Sequence, residues 1–492
     1  MALKVPPAFT SPPLDDLWSH TAAIWDVFFN AATPRAAGRR ARSRLIQLVE
    51  FARRRSPFYA RHLREVAPYG AFAMDDLPTV SKHELMEHFD DWATDHAVTR
   101  AAVDAFIARA ENIGDSFLGR YVVWTSSGST GTPGIFVQDE RALALYDALE
   151  LVRFRGLGPM QWLPHLLSAD QRYALVAATG GPFAGCATAA RLLRAQPWLA
   201  ASLRVISILQ PLDELVAALN EFQPTCLASY PSVANVLAEE QRAGRLRLRL
   251  SELWCGGEQL SAAVRRQTEH SFGCPMREAY GASEFMSIAW SCAEGALHVN
   301  SDWVLLEPVD ADLQPTPPGQ ISHTTLLTNL ANLTQPLIRY DIGDRMQRLL
   351  APCACGSEFP AIRVEGRTDD TLEFDGTAGH MVKLLPLALA TVLEEGADAH
   401  GFQLVRCDSA TIELRLPSCE QREYTAQRCR QQLRRFLRRQ HLENVQVLWR
   451  GAAPTPDPVS GKLRCVIAAP STVDAAPVAG ASGIAGEQFG MH

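Results

Sequence analysis

Between Tyr173 and Glu258 the chain alternates two textures, and this alternation constrains its fold more than any other feature. YALVAAT, RVISILQ and TCLASY are short apolar runs that read as buried strands. LDELVAALNEF and SVANVLAEEQRAG read as helices between and after them, and LSELWCGGE is a further strand running into glycines. Strands alternating with helices argue for a parallel sheet with helices on both faces. In open sheets of this kind, ligands bind where the strands end in loops.

The flanks differ. Residues 1–118 read as largely helical, with ARSRLIQLVEFARRRSPFYARHL carrying apolar residues at helical spacing. YVVWT (Tyr121 to Thr125) and GIFVQ (Gly134 to Gln138) read as two strands joined by a Gly-rich loop, and Asp139 as the N-cap of a following helix. Near Gly366 the polar, Gly-bounded GRTDD reads as a linker. Beyond it lies a small unit with strands FQLVRC and TIELRLP, an Arg-rich helix from about Glu420 to Gln440, VQVLWR, and a Pro-rich loop, APTPDPVSGKLR. The expected architecture is α/β. A large N-terminal domain (1–367) with parallel-rich sheets flanked by helices precedes a small C-terminal α+β domain (368–470). An Ala/Gly/Ser-rich tail (471–492) reads as disordered.

Composition narrows the function. A charged fraction of 21% and an apolar fraction of 47% are those of a soluble globular protein. A net charge of −7 gives no nucleic-acid-binding signature. The longest apolar runs, such as LLPLALATVL from Leu384, are too short to span a bilayer. The N-terminus has Pro and acids where a signal peptide needs an apolar core. A cytoplasmic location follows as an expectation, with reduced cysteines, so clustered cysteines point to metal rather than disulfides.

The loop TSSGSTGTPG gathers Ser126, Ser127, Ser129 and Thr130 around Gly128 and Gly131. Backbone N–H groups and hydroxyls can cradle phosphate oxygens where glycines allow close approach. A Walker-type loop joins a strand to a helix and carries GK[ST]; this loop joins two strands and lacks the lysine. A flexible polar hairpin is the alternative reading.

Four further motifs follow in order: WCGGE (Trp254 to Glu258), EAYGASE (Glu278 to Glu284), PLIRYDIGD (Pro336 to Asp344) and EGRTDD (Glu365 to Asp370). SGKLR (Ser460 to Arg464) comes last. In this order and spacing the set resembles the adenylate-forming superfamily, over about Phe51 to Ile467. The short RYDIGD, the CACG before GRTDD and the helical N-terminus with SPFYARHL are most similar to its phenylacetate–CoA ligase branch.

The resemblance implies a two-step ligase. A carboxylate joins the α-phosphate of ATP with release of pyrophosphate, and the acyl group then passes from AMP to a thiol. Two anions meet in the first step, so cations and fixed dipoles are needed. By resemblance, Ser127 to Gly131 hold the outgoing phosphates, with Ser126 beside them in the nucleotide site, and Glu284 binds Mg²⁺. Asp344 accepts hydrogen bonds from the ribose hydroxyls, and Arg367 lies near ribose and phosphate. Gly256, Gly257 and Glu258 form an adenine slot with Tyr280 stacking on it, and Gly281, Ala282 and Ser283 complete the nucleotide site. Lys462, on what the family uses as a mobile lid, reaches the α-phosphate, and Asp369 marks the hinge. Each has a bland counterpart: Glu284 as a helix-start acid, Asp344 as a turn cap, Arg367 paired with Asp370, Lys462 solvated. Lys383 competes with Lys462 for the catalytic role.

The Cys/His pattern is a second metal candidate. Cys292 and His298, with Cys353 and Cys355, could complete a tetrahedral structural Zn²⁺ site; unrelated core cysteines are the alternative. For the substrate, Tyr230, Pro231, Phe136, Gly256, Gly281 and Ala282 are candidates, and small residues beside aromatics suit a planar aryl acid. The same residues could be core. The helix arginines Arg422, Arg428, Arg430, Arg434, Arg435, Arg438 and Arg439 suggest an anionic partner, or a solvated face. CoA is the expected acceptor, with the phosphopantetheine thiol of an acyl carrier protein as the alternative. A homodimer is left open, and a degenerate nucleotide-binding regulator is the reading from another class.

Overall fold

A computed structural model describes residues 17–29, 34–126, 133–154, 171–179, 181–258, 260–365, 371–376, 380–417, 421–455 and 464–468. The expected parallel sheet is present. Five strands run parallel in the order Met276–Ala282, Glu252–Cys255, Cys226–Ser229, Tyr173–Ala177, Leu203–Ser207. Helices Leu212–Phe222 and Pro231–Arg242 lie between consecutive strands, as the periodicity predicts. Their apolar faces, Leu215, Val216, Leu219, Val233, Val236 and Leu237, are buried, which holds each crossover against the sheet.

The sheet then changes direction. At Met276–Ala282 the next neighbour, Phe285–Ser291, pairs antiparallel, followed by Leu297–Val299, Ala361–Glu365 and Arg345–Arg348. The result is a nine-stranded mixed sheet. The turn between the first two of these strands is the YGASE motif itself, so the motif sits where parallel pairing gives way to antiparallel pairing.

Two smaller sheets complete the part before residue 366. Tyr121–Thr125 and Ile135–Asp139 form the antiparallel hairpin that carries the Gly-rich loop, in register Thr125↔Ile135. The helix Glu140–Leu149 follows at once, and Asp139 caps it by accepting from Ala142 N–H at 2.9 Å. Strands Val304–Val309, Thr324–Asn329 and Leu337–Asp341 form a three-stranded antiparallel sheet. Among the described residues before Tyr121 all regular elements are helical, apart from bridges at Val80, which pairs with Tyr340, and at Phe117, which pairs with Tyr121.

The C-terminal unit begins with the hairpin Leu372–Asp375/Met381–Leu384. A four-stranded sheet follows, with helices Pro386–Ala397 and Arg422–Arg439. Its apolar residues, including Leu372, Leu384, Leu389 and Leu433, belong to one cluster with Ala178, Ile208, Val236 and Leu253 of the parallel half. Lys383 ties the hairpin to the helix Pro231–Arg242 through Glu239 at 2.5 Å, and contacts Glu373 at 3.2 Å. Gln440 Nε2 donates to the Leu209 carbonyl at 3.2 Å.

Candidate active site

The polar ends of three sheets converge on one region. The base of the Gly-rich loop is fixed first: Ser126 N–H donates to the Gly134 carbonyl at 2.8 Å, and Gly134 N–H donates to Ser126 Oγ at 2.8 Å. Trp124 Nε1 donates to the Ser283 carbonyl at 2.8 Å and Ser283 Oγ to the Thr125 carbonyl at 3.3 Å. The hairpin and the YGASE turn are therefore joined directly. Ser127, Gly128, Ser129, Thr130 and Gly131 lie outside the described residues.

The RYDIGD strand joins the same region from the other side. Tyr280 OH donates to Asp344 Oδ2 at 2.7 Å, and Tyr340 OH donates to Glu284 Oε1 at 2.8 Å. Motifs 56 and 64 positions apart in sequence are thus held by paired phenol–carboxylate bonds. Burial raises the Glu284 pKa; the Lys82 charge and the Tyr340 hydrogen bond oppose this, and Asp344 reinforces it. Burial, and then the Asp344 charge, push the Tyr280 phenol well above its usual range, so it remains a donor.

Lys82 was not singled out by sequence reasoning. It opens the helix Lys82–Glu87, whose start is fixed by a capping box between Ser81 and Glu84. Val80, two residues earlier, pairs with the RYDIGD strand: its N–H donates to the Arg339 carbonyl, and its carbonyl accepts from Asp341 N–H at 3.0 Å. That pairing brings the ammonium within electrostatic reach of Glu284. One signal was available: the lysines of this chain are Lys4, Lys82, Lys383 and Lys462, against 47 lysines and arginines together. Arginine supplies nearly all other cationic positions.

The glycines of the site are there for space. Gly281 sits in the irregularity between Tyr280 and Ala282, where a Cβ would run into the Met286 carbonyl oxygen. Gly257 has φ +78°, the left-handed region that favours glycine, and packs on the Tyr230 ring. A Cβ at Gly134 would meet the Phe136 ring at 2.7 Å, so the loop's exit is closed to a side chain there. Gly281→Ala is expected to cost about 1–3 kcal/mol through overpacking against backbone. It should also displace Tyr280 and Glu284. A lower denaturation midpoint together with weakened ATP binding would show both effects.

Other candidates are placed as follows. Glu258 turns to the start of the helix Pro231–Arg242, accepting from Ser232 N–H at 2.9 Å and Ser232 Oγ at 3.0 Å. It thereby fixes the GGE turn against Tyr230 and Pro231. The Tyr230 hydroxyl accepts from Ala178 N–H at 3.4 Å, and burial raises its pKa. Phe136 is 1% exposed and meets Trp92 edge to face at 6.4 Å. Lys383 is held by Glu239 and Glu373; burial lowers its pKa, and the two carboxylates outweigh that and raise it. Arg367, Asp369 and Lys462 lie outside the described residues, as does the tail from 469 onward.

The Cys/His set assembles at the antiparallel end of the large sheet. Donor atoms of Cys292, His298, Cys353 and Cys355 all lie within 4.8 Å of one another. Cys292 and Cys353 sulfurs are 3.6 Å apart, and Cys355 Sγ is 3.3 Å from His298 Nε2. A tetrahedron with metal–sulfur bonds of ~2.3 Å has sulfur–sulfur edges of roughly 3.8 Å, so the spacing fits zinc. His298 Nδ1 bonds the Phe359 carbonyl at 2.8 Å, leaving Nε2 toward the cluster. The Cys355 N–H, ahead of an opposing burial effect, holds the Cys353 thiol down to about 7, whereas burial pushes the Cys355 thiol up to about 11.

Comparison with known proteins agrees with this geometry. The family model described as AMP-binding enzyme matches residues 79–316. That span takes in Lys82, the Gly-rich loop, the GGE turn and Glu284. The phenylacetate-coenzyme A ligase of Thermus thermophilus is 29% identical over 365 residues, covering 71% of this chain and 73% of that one. Protein CapK of Staphylococcus aureus is 26% identical over 162 residues, 32% of this chain and 34% of that one. Among solved structures, 2-hydroxyisobutyryl-CoA ligase in its thioesterification state superposes with TM-score 0.54 at 20% identity, covering 91% and 92% of the two chains. Its postadenylation state gives 0.53 at 18% identity, covering 96% of each. At these identities the structural matches establish shared architecture.

Proposed function

We propose that the chain is a member of the adenylate-forming, AMP-binding enzyme superfamily, whose model matches residues 79–316, and an ATP-dependent acid–thiol ligase that acts on an aromatic carboxylic acid with CoA as acceptor. The observation that carries this reading is the convergence of three motifs on one buried carboxylate. Trp124 and Ser283 join the Gly-rich hairpin to the YGASE turn, and Tyr340 joins that turn to RYDIGD at Glu284. The relatives support CoA as the acceptor, since the Thermus thermophilus enzyme is a coenzyme A ligase.

In the first step a substrate carboxylate oxygen attacks the α-phosphorus of ATP. An acyl–phosphate bond forms, and pyrophosphate leaves with the electron pair of the broken anhydride. In the second step a thiolate attacks the acyl carbon, a thioester forms, and AMP leaves. Glu284 is the carboxylate suited to Mg²⁺. It is buried, its pKa is raised by that burial, and a divalent cation would stabilise its charged form. Bound there, the ion would neutralise phosphate charge. Asp344, steered by Tyr280, would accept from the ribose hydroxyls, and the GGE turn beside Tyr230 would take the base. Lys462 would supply the charge at the α-phosphate, with Arg367 near the ribose and Asp369 as the hinge.

Incubation with a panel of aryl and alkyl acids, labelled pyrophosphate and ATP tests this. Exchange into ATP should depend on one class of acid, with planar aryl acids preferred. Exchange with none of them would overturn the enzymatic reading. An acyl carrier protein is the second acceptor to test. Arg434, Arg435, Arg438 and Arg439 are exposed on adjacent turns of the lid helix, with no acidic partner among the described residues. Like charges at i,i+4 destabilise a helix slightly, so an acidic partner would relieve them. Transfer to a holo-carrier protein, lost on reversing these four charges while exchange persists, would favour that acceptor.

The Cys/His cluster we assign to a structural Zn²⁺. It would clamp the strand after YGASE to the segment leading to the linker, since Ala361 pairs with His298. Purified protein should carry about one zinc per chain, and Cys353→Ser should lose it. Metal analysis below about half an equivalent would refute the assignment.

A further inference from the structure

The tyrosine of RYDIGD has no role in the reaction as derived, yet its hydroxyl is the one that touches the proposed magnesium ligand. Tyr340 is 1% exposed and Glu284 7%. The phenol crosses from Leu337–Asp341 to Glu284 Oε1 at 2.8 Å. Glu284 lies in the turn between two strands of a different sheet, so this bond is not part of its own hairpin.

The backbone of Glu284 is held from the same side. Asn329, fully buried, donates Nδ2 to the Glu284 carbonyl at 2.8 Å and contacts Tyr146 OH at 3.2 Å. Its Oδ1 accepts from Ala331 and Asn332 N–H at 2.8 and 3.1 Å. Asn332 Nδ2 in turn donates to the Val137 carbonyl at 2.9 Å and to Gln138 Oε1 at 3.1 Å. Val137 and Gln138 belong to the strand leaving the Gly-rich loop. The segment TNLANLTQP is therefore a buried polar spine linking the phosphate hairpin, the YGASE turn and RYDIGD. Buried amides impose a heavy desolvation cost unless every partner is in place, and a satisfied network fixes one geometry. Apolar residues would pack this region with no such demand and would fix no orientation.

A carboxylate has about four acceptor sites, so a hydroxyl that takes one of them on Oε1 can fix the plane of the group and still leave sites for a cation. We propose that Tyr340 is a positioning residue for the Mg²⁺·ATP site: its hydroxyl, bound to Glu284 Oε1, fixes the orientation of the carboxylate that would hold the cation, while Asn329 fixes the backbone beneath. This rests on the reading of Glu284 as the cation ligand.

Tyr340→Phe removes one oxygen and keeps the ring. Calorimetric ATP binding should weaken roughly 10–100-fold in the presence of Mg²⁺, the range for loss of a group that orients a metal ligand. Binding in EDTA should be unchanged. The Mg²⁺ concentration for half-maximal pyrophosphate exchange should rise by the same factor, and saturating Mg²⁺ should restore the rate. Wild-type Mg²⁺ dependence in both measurements would overturn the proposal, as would a loss that Mg²⁺ does not restore. If the phenylalanine variant fails to fold, Asn329→Ser carries the same expectation, because serine cannot reach the Glu284 carbonyl. Glu284→Gln separates the two readings. If it keeps wild-type Mg²⁺ dependence, the ligand assignment itself is wrong. If it abolishes that dependence while Tyr340→Phe does not alter it, only the positioning role is wrong.

Discussion

Replacing Lys462 by alanine is expected to lower acid-dependent pyrophosphate exchange by about 10²–10³-fold, the scale of losing one fixed charge at a developing transition state. The reason lies partly elsewhere in the chain. The Gly-rich loop brings no lysine, and its exit at Gly134 is filled by the Phe136 ring and Ser126 Oγ. Lys82 lies within electrostatic reach of Glu284, the proposed Mg²⁺ ligand. Lys383 is committed to Glu239 and Glu373. With Lys82 and Lys383 so engaged, Lys462 is the lysine we propose for the α-phosphate, on a flexible stem suited to reach it. The loss should be confined to the first half-reaction. Supplied with chemically prepared acyl-adenylate, Lys462→Ala should form thioester at close to the wild-type rate. Equal loss in both half-reactions would mark the lysine as structural.

Glu284→Gln is the second large expectation. The replacement is isosteric, and the Gln carbonyl oxygen can still accept from Tyr340, so the fold should hold. What disappears is the negative charge. Exchange should fall about 10²–10³-fold, and added Mg²⁺ should not recover it, since a neutral amide is a poor ligand for a hard cation. Thermal stability should stay level or rise, because a carboxylate with a burial-raised pKa is costly when empty. A stable, inactive variant fits the metal role. A destabilised one would return Glu284 to the role of a structural acid.

The parallel half of the sheet was legible because βαβ units write their order locally. LDELVAALNEF is the helix Leu212–Phe222 to the residue, with its αL end at Gln223. Asp139 is a cap for a reason visible in sequence, a carboxylate before a helical run. The antiparallel half was much less legible. Thr324–Asn329 is buried on both faces and Val304–Val309 is half-buried at Leu305, Leu306 and Glu307 in succession, so neither shows the alternation that marks an exposed strand. The site motifs were found, but not their couplings. Tyr280 and Tyr340 stand beside the acids in sequence, yet each reaches the acid of the other's motif, Tyr280 to Asp344 and Tyr340 to Glu284. Spacing along a chain carries no information about such an exchange. Lys82 was hidden for a similar reason: a single backbone pairing at Val80 brings it in from an N-terminal segment whose pattern reads as plain helix.

The C-terminal unit shares its apolar cluster with the parallel half of the sheet, and Lys383 bridges the two. If this unit turns as the lid we propose, it cannot do so without wetting that surface. Its rotation would therefore resemble partial unfolding in its thermodynamics, with a positive heat-capacity change and an Eyring plot that bends. Solvent composition would then act on turnover directly: salts that strengthen apolar burial would hold the lid in place, and mild denaturant would free it. The tempo of the catalytic cycle would be set as much by the hydration of leucines far from the nucleotide as by the chemistry at its phosphates.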